Sequence, residues 1–322
     1  MVFRIGNCTG MFPAGPLLWH GPPSRHPDRE RQGDRMKIGF LGAGKVGFSL
    51  GKWFVQGGIP VTGYHNSRHR ESAQEAAAWT GTRCFPTAEA LVTASDAIFF
   101  TVPDGAIPTV YQGLGDLDLT GKQLCHCSGA RTAREGFPGP GHPGASYYSI
   151  HPLFPVSGKY SAWRELSGAF FCLEGEGPHL PWWEETLTAL GAQVRRIPSG
   201  EKAAYHAACA MASNLVCALV GESVTLLARC GFSQEEALAA LAPLMEANLR
   251  HLCAEGPVAA LTGPVERGDG ATIARHLACL PAGPARALYR AASVALVDLA
   301  RKKHPDRDYQ PVTDLLEKGS NP

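Results

Sequence analysis

KIGFLGAGKVGFSLGKWFVQGGIPVTGYHNSR, residues Lys37 to Arg68, is the stretch that decides the fold. It opens with a short apolar run, Lys37 to Leu41, that reads as a buried strand. Gly42-Ala43-Gly44-Lys45-Val46-Gly47 follows at once as GxGxxG, and a helical pattern begins inside it. In such a unit the first glycine permits a tight turn, the second lets the backbone approach a pyrophosphate, and the third lets helix and strand pack closely. The free N–H groups at the helix N-terminus suit phosphate oxygens. In a chain with 37 glycines the motif alone could be a glycine-rich loop. The strand before it, the helix after it and a second strand over Pro60 to His65 make it a dinucleotide site.

The residues after that second strand indicate which dinucleotide. A site for NAD places Asp or Glu about 20 residues beyond the fingerprint, where the carboxylate accepts from the ribose 2′-OH. Here the chain reads Tyr64-His65-Asn66-Ser67-Arg68, with no carboxylate before Glu71. Asn66 and Ser67 offer donors, and Arg68 can pair bidentately with a 2′-phosphate, which points to NADP. The plainer reading of His65, Arg68, His69 and Arg70 is a solvated basic turn.

From Met36 to about Pro198, strand-like and helix-like segments alternate, the signature of a mostly parallel sheet covered by helices. Predicted strands cover Lys37 to Leu41, Pro60 to His65, Thr82 to Phe85, Asp96 to Val102, Gln123 to Cys127, Ser146 to Ile150, Ala169 to Leu173 and Gln193 to Ile197. Ligands of open α/β sheets lie beyond the carboxyl ends of strands, so Val102, Pro103 and Asp104 should border the cofactor together with Ser128 and Gly129. After Pro198 the strand signal stops. Long Ala- and Leu-rich helical patterns follow over about Gly200 to Val220, Ser233 to Cys253, Asp269 to Leu280 and Pro284 to Lys303. The expected fold is therefore α/β: an N-terminal Rossmann-like sheet domain over 36–198, then an all-helical domain over 199–303. A polar, frayed tail over 304–322 and a disordered or mis-annotated Pro-, Gly- and Arg-rich leader over 1–35 complete the expectation.

Composition narrows the function class. A net charge of +1 over 322 residues gives no bulk attraction to nucleic acid or to an anionic membrane. The longest apolar run, around Cys209 to Val220, is interrupted by Ser213 and Asn214 and is short for a membrane span. Ten cysteines occur without CxxC or metal-ligand spacing, as in a protein of the reducing cytosol. Cys125-His126-Cys127 sends alternate side chains to opposite sheet faces, which is poor ligand geometry. No metal site is expected, and no GxSxG, HExxH or P-loop supports a hydrolase or kinase.

Candidate chemistry lies on the first long helix. At 100° per residue from Lys202, His206 falls at about 40°, Ser213 at about 20° and Asn214 at about 120°, gathering polar groups on one side of an otherwise apolar helix. A lysine lining a cleft can hold or protonate a carbonyl or imine, and a histidine one turn later can share that proton. The alternatives are a first-turn lysine that snorkels to water and a histidine bonded to backbone. His151, in Ser149-Ile150-His151-Pro152, follows a strand and is either a group facing the nicotinamide or a turn histidine. Arg267, in the loop Leu261 to Asp269, can pair with a substrate carboxylate, or the whole loop is structural, with Asp269 capping the next helix. Ser213, Asn214 and Arg267 are thus the candidate substrate contacts.

Several segments together, GFLGAGKVG, FFTVPD, LCHCSGA, HPLFPV, GEKAAYHAACAMASN and LTGPVERGD, carry a resemblance that spans Met36 to about Lys303. The chain resembles Rossmann-like proteins with a C-terminal domain of unknown function, within the broad group similar to 6-phosphogluconate dehydrogenase, hydroxyisobutyrate dehydrogenase and pyrroline-5-carboxylate reductase. In the hydroxyacid dehydrogenases of that group a helix early in the second domain carries a catalytic Lys with an Asn four residues later. Lys202 matches the Lys, and His206 stands where the Asn would be. The resemblance implies a 6-phosphogluconate-dehydrogenase-like helical domain that dimerises. It also implies hydride transfer from NADP to a C=O or C=N carbon of a small polar metabolite, with Lys202 or His206 supplying the proton. A non-catalytic NADP-binding module, or a deazaflavin-dependent enzyme on the same fold, fits the same segments.

Overall fold

The computed structural model describes residues 36–318, so the expectation for the leader 1–35 lies outside the described residues. Eight strands form one sheet: β1 (Ile38–Leu41), β2 (Val61–His65), β3 (Arg83–Cys84), β4 (Ala97–Phe100), β5 (Gln123–His126), β6 (Ser146–Leu153), β7 (Phe170–Glu176) and β8 (Gln193–Arg196). Their order is β3-β2-β1-β4-β5-β6-β7-β8, and all neighbours are parallel except β6 and β7. Strand order reverses between β1 and β4, where open α/β sheets leave a crevice for a ligand.

The helices of this unit are α1 (Lys45–Gln56), α2 (Arg70–Thr80), α3 (Ala88–Ala94), α4 (Ile107–Gln112), α5 (Ala133–Gly136) and α6 (Leu180–Ala189). Side chains of β1 and β4 alternate between two buried faces. Phe40 and Phe99 join Phe54, Trp53 and Trp183 on one side, while Leu41, Ile98 and Phe100 join Leu91, Tyr111 and Phe137 on the other. Burial on both faces explains why these strands read as continuous apolar runs rather than alternating ones. Two tryptophans of the core pair their polar ends: Trp183 Nε1 donates to Gln123 Oε1 at 2.8 Å, and Trp53 Nε1 to Ser167 Oγ at 3.0 Å.

The expected strand over Ser146 to Ile150 runs on to Leu153, so His151 is a strand residue and not one that follows a strand. The cause is β7, which pairs antiparallel with β6 through His151↔Cys172, Pro152↔Phe171 and Leu153↔Phe170. Pro152 is tolerated there although it lacks an N–H to donate.

The chain divides into two compact units, one ending at Ala208 and one beginning at Cys209. The division falls inside α7 (Lys202–Ala212), which is followed by α8 (Asn214–Ala228). The single helix expected over Gly200 to Val220 is therefore two. Ser213, at φ −126° and ψ −77°, breaks the helical path. The second unit continues with α9 (Gln234–Ala260), kinked at Gly256, then α10 (Pro264–Arg267), α11 (Gly270–Cys279), α12 (Pro284–Lys303) and α13 (Gln310–Glu317). The frayed tail is also corrected: Tyr309, Val312 and Leu316 are buried with Leu261, Ile273, Leu277 and Val297, so Tyr309 and α13 pack into the helical core. Polar residues there lie on the outer face of an amphipathic helix, which a reading by overall polarity misses.

Candidate functional site

The fingerprint glycines divide their duties. Gly42 has φ +102°, and a methyl group on it would lie 2.8 Å from the backbone of Thr101 at the end of β4. A methyl on Gly47 would lie 2.5 Å from Thr101 Oγ1, which itself donates to the Gly42 carbonyl at 2.9 Å. Both are thus required by packing within the protein. Gly44 is not: a methyl there would meet nothing nearer than 3.7 Å, and the residue is exposed at the N-cap of α1. No side chain caps α1, and no acidic residue stands in its first turn. An uncapped helix N-terminus behind an exposed glycine fits a pyrophosphate, which would occupy the free N–H groups and the positive end of the helix dipole. Ala43 is buried beneath this turn, Val46 half-buried, and Lys45 exposed.

At the end of β2, Asn66 Oδ1 accepts from the amides of Arg68 and His69, each at 3.1 Å. Asn66 therefore shapes the turn with its oxygen and keeps its amide donors for a ligand. Ser67, Arg68, His69 and Arg70 are exposed around it, and the first acid on α2 is Glu71. This basic, acid-free turn suits a 2′-phosphate.

Beyond β4 and β5, Val102 is half-buried, Pro103 and Asp104 are exposed, and Ser128 and Gly129 are buried. Ser128 Oγ donates to Asp104 Oδ2 at 2.5 Å and accepts from the Arg131 amide at 3.0 Å. His126 is spent on the same loop: Nε2 donates to the Thr132 carbonyl at 3.0 Å and Nδ1 accepts from the Ser128 amide at 3.2 Å. Burial pushes its pKa down to about 4, so the ring stays neutral.

Lys202, His206 and His151 come together in the first unit. Lys202 is 1% exposed, and its Nζ donates to Ser149 Oγ of β6 at 2.7 Å. Ser149 in turn donates to the Ser128 carbonyl at 3.1 Å. Burial holds the Lys202 ammonium below the usual lysine range, opposed first by Glu174. His151 Nδ1 hydrogen-bonds the Tyr205 hydroxyl at 2.7 Å, and its ring centroid lies 6.1 Å from that of His206. Burial, then the charges of Lys202 and His206, push His151 down to about 4. Both imidazoles lean over Gly129: a methyl there would be 2.4 Å from His206 Cδ2 and 2.9 Å from His151 Nε2. A buried lysine with two histidines beside it, at the carboxyl ends of β4, β5 and β6, is equipped to place a proton on a substrate heteroatom.

Ser213, Asn214 and Arg267 fall in the second unit. The break at Ser213 interrupts the 100° stepping that aligned Ser213 and Asn214 with Lys202, and both residues are exposed. The stretch expected as a loop contains the short helix α10, which ends at Arg267, and it has a structural part: the Glu266 carbonyl accepts from Arg307 at 2.7 Å and from the Tyr309 hydroxyl at 2.5 Å, and the Glu266 carboxylate meets His304. Asp269 caps α11, accepting from the Thr272 amide at 3.0 Å.

Three contributors escape a reading of motifs. Ser149 was legible in principle, since it shares a strand face with His151 two residues on. Glu174 was legible as an acid inside the apolar run of β7. Tyr205 carries no sequence signal, because only the fold sets it against His151.

Residues 37–128 match the family model described as NADP oxidoreductase, coenzyme F420-dependent, and residues 169–296 match a domain of unknown function. No curated protein matches the sequence. Among solved structures, a Thermotoga maritima protein is similar at 27% identity and a TM-score of 0.62, covering 83% of this chain and 99% of its own. A Bacteroides fragilis protein provisionally described as an NADP oxidoreductase is similar at 20% identity and 0.64, covering 82% and 98%. The reductive aminase of Aspergillus terreus, solved with NADPH and ethyl-5-oxohexanoate, shares the fold at 18% identity and 0.54, covering 88% and 93%. The chain thus joins a Rossmann-type NADP oxidoreductase domain to a C-terminal domain of unknown function.

Proposed function

We propose that this protein is an NADP-dependent reductase that delivers hydride to a C=O or C=N carbon of a small polar metabolite. The observation that carries the reading is the convergence of His151 and His206 on Gly129, with Lys202 buried on Ser149 of the same strand as His151, in the same unit as an uncapped fingerprint helix. NADPH, when bound, supplies the hydride. The chain supplies the rest. Gly44 and the first turn of α1 hold the pyrophosphate, and Asn66, Ser67 and Arg68 hold the 2′-phosphate. Asp104, Ser128 and Gly129 border the cofactor. Lys202 places positive charge where a heteroatom becomes negative, and Lys202 or His206 supplies the proton, with the neutral His151 ring beside them.

The test is NADPH oxidation against a panel of keto acids, ketones and imines. Lys202→Ala combined with His206→Ala is expected to lower turnover by about 10²–10⁴-fold, the usual worth of acid–base groups, with NADPH affinity retained. Full turnover in that variant would remove these residues from the chemistry. Arg68→Ala is expected to lose most of the preference for NADPH over NADH, and an unchanged ratio in titration would exclude the 2′-phosphate role. Tight NADPH binding without turnover of any substrate would favour a cofactor-sensing module. The deazaflavin alternative draws support from the family description over residues 37–128 and is decided by competition between F420 and NADPH.

A second copy of the chain covers the apolar surface of the second unit, giving a homodimer through the helical domain. All nine cysteines among the described residues are free, which supports a cytoplasmic location.

A further inference from the structure

We propose that Glu174 is a positioning residue that fixes the start of α7 and balances the Lys202 ammonium inside the protein. Glu174 lies on β7 and is 3% exposed. Its Oε2 accepts from the Ala133 amide at 2.6 Å and its Oε1 from Ser199 Oγ at 2.6 Å. Both oxygens are thus engaged, one by a backbone amide that can only donate and one by a hydroxyl. Ser199 opens the short turn that leads directly into Lys202. The carboxylate therefore ties the entrance of α7 to the sheet just before the chain turns Lys202 down toward Ser149.

Burying an amine carries a cost of its own. An unpaired ammonium at 1% exposure is expensive, and its ordinary response is to lose the proton. The groups that face Lys202 are Glu174 and Cys172 from β7, His126 and Cys127 from the β5 side, Asp104 beyond β4, His151 from β6, and from α7 itself the Tyr205 ring, whose centroid lies 5.6 Å from Nζ. Burial keeps both histidines neutral and pushes the Cys127 thiol up. Asp104 is exposed to water and engaged with Ser128. Glu174 is the buried acid of this set: it pairs directly with Ser149, the residue that holds the Lys202 amine, across β6 and β7, and its charge leads those that favour the ammonium. Neither Ser149 nor the Ser128 carbonyl behind it can do that, since both are neutral.

This inference rests on Lys202 as the proton-handling group of the proposed reductase, yet its test needs no substrate. The full-length chain, labelled with 13C at lysine Cε and assigned with Lys202→Arg, gives the titration midpoint of Lys202 by NMR. Glu174→Gln keeps the shape and removes the charge, and the midpoint is expected to fall by about one pH unit or more, as on loss of a close opposite charge. Wild-type and Glu174→Gln midpoints that coincide would overturn the proposal. Should Glu174→Gln fail to fold, Ser199→Ala decides, because it cuts the tether and leaves the carboxylate. The Lys202 Cε resonance then shifts if the tether positions the amine, and an unmoved resonance overturns that role. With a substrate in hand, Glu174→Gln should lower kcat and move its pH profile toward acid while leaving KM for NADPH unchanged. If Lys202→Ala keeps full turnover, the catalytic reading fails by itself, and the coupling of Glu174 to Lys202 stands or falls on the NMR titration.

Discussion

At the scale of single residues, the fingerprint separates folding from binding in a way that can be measured. Gly42 sits at positive φ against the Thr101 backbone, so Gly42→Ala should destabilise the fold by about 2–4 kcal/mol, from backbone strain and overpacking together. Gly44 has extended backbone that any residue adopts, with open space where a side chain would start. Gly44→Ala should leave stability within about 1 kcal/mol and weaken NADPH binding by at least about tenfold, or 1.4 kcal/mol. Thermal unfolding and cofactor titration of the two variants check both halves, and equal effects on both properties would contradict the division. The motif was legible because GxGxxG is a local pattern with a local cause. The chemical residues were legible only as candidates. Lys202 and His206 share a helical face by spacing, but that Lys202 is buried on Ser149, and that His151 meets Tyr205 across 54 positions of sequence, follows from strand register and could not be counted from the chain.

At the scale of elements, α7 and α8 show where periodicity stops informing. The apolar stretch Ser199–Ala228 is long and apolar enough by composition to cross a membrane, yet Ser213 divides it. Met211, Leu215 and Leu219 recur at four-residue spacing on its exposed surface, and α9 exposes Leu244 and Leu249. Exposed apolar surface on this scale marks an interaction site, and a second copy of the chain is the occupant proposed above. Leu215→Glu with Leu219→Glu should convert a dimer to a monomer in light-scattering mass measurements, and an unchanged mass would move the contact elsewhere. The same scale explains two boundary errors. β6 gains three residues because antiparallel β7 extends the ladder, and α13 packs where polarity suggested a tail. In both cases the deciding partner is distant in sequence.

At the scale of the whole molecule, buried neutral histidines make stability depend on pH. His126 is fully buried, and burial pushes it down to about 4, whereas in the unfolded chain it titrates near the ordinary 6.5. Between those values the unfolded state holds more protons, so the contribution is whole above about pH 6.5 and is lost as pH falls toward about 4. The full loss is on the order of 3 kcal/mol for His126. Unfolding followed from pH 7.5 to 5 should show a falling midpoint, and His126→Gln should flatten that slope even though it costs stability at neutral pH. The alternation of strand and helix, the dinucleotide turn, the acid-free basic turn after β2 and the change to an all-helical second half were determined by the sequence alone, because each depends on neighbours within one element or turn. The tertiary structure decided the antiparallel seam between β6 and β7, the burial of Lys202, the meeting of His151 and His206 over Gly129, and the place of Glu174 behind them. Those depend on which residues a folded sheet brings within a few ångströms, and in a low-dielectric interior such distances, more than residue type, set which groups carry charge and which carry protons.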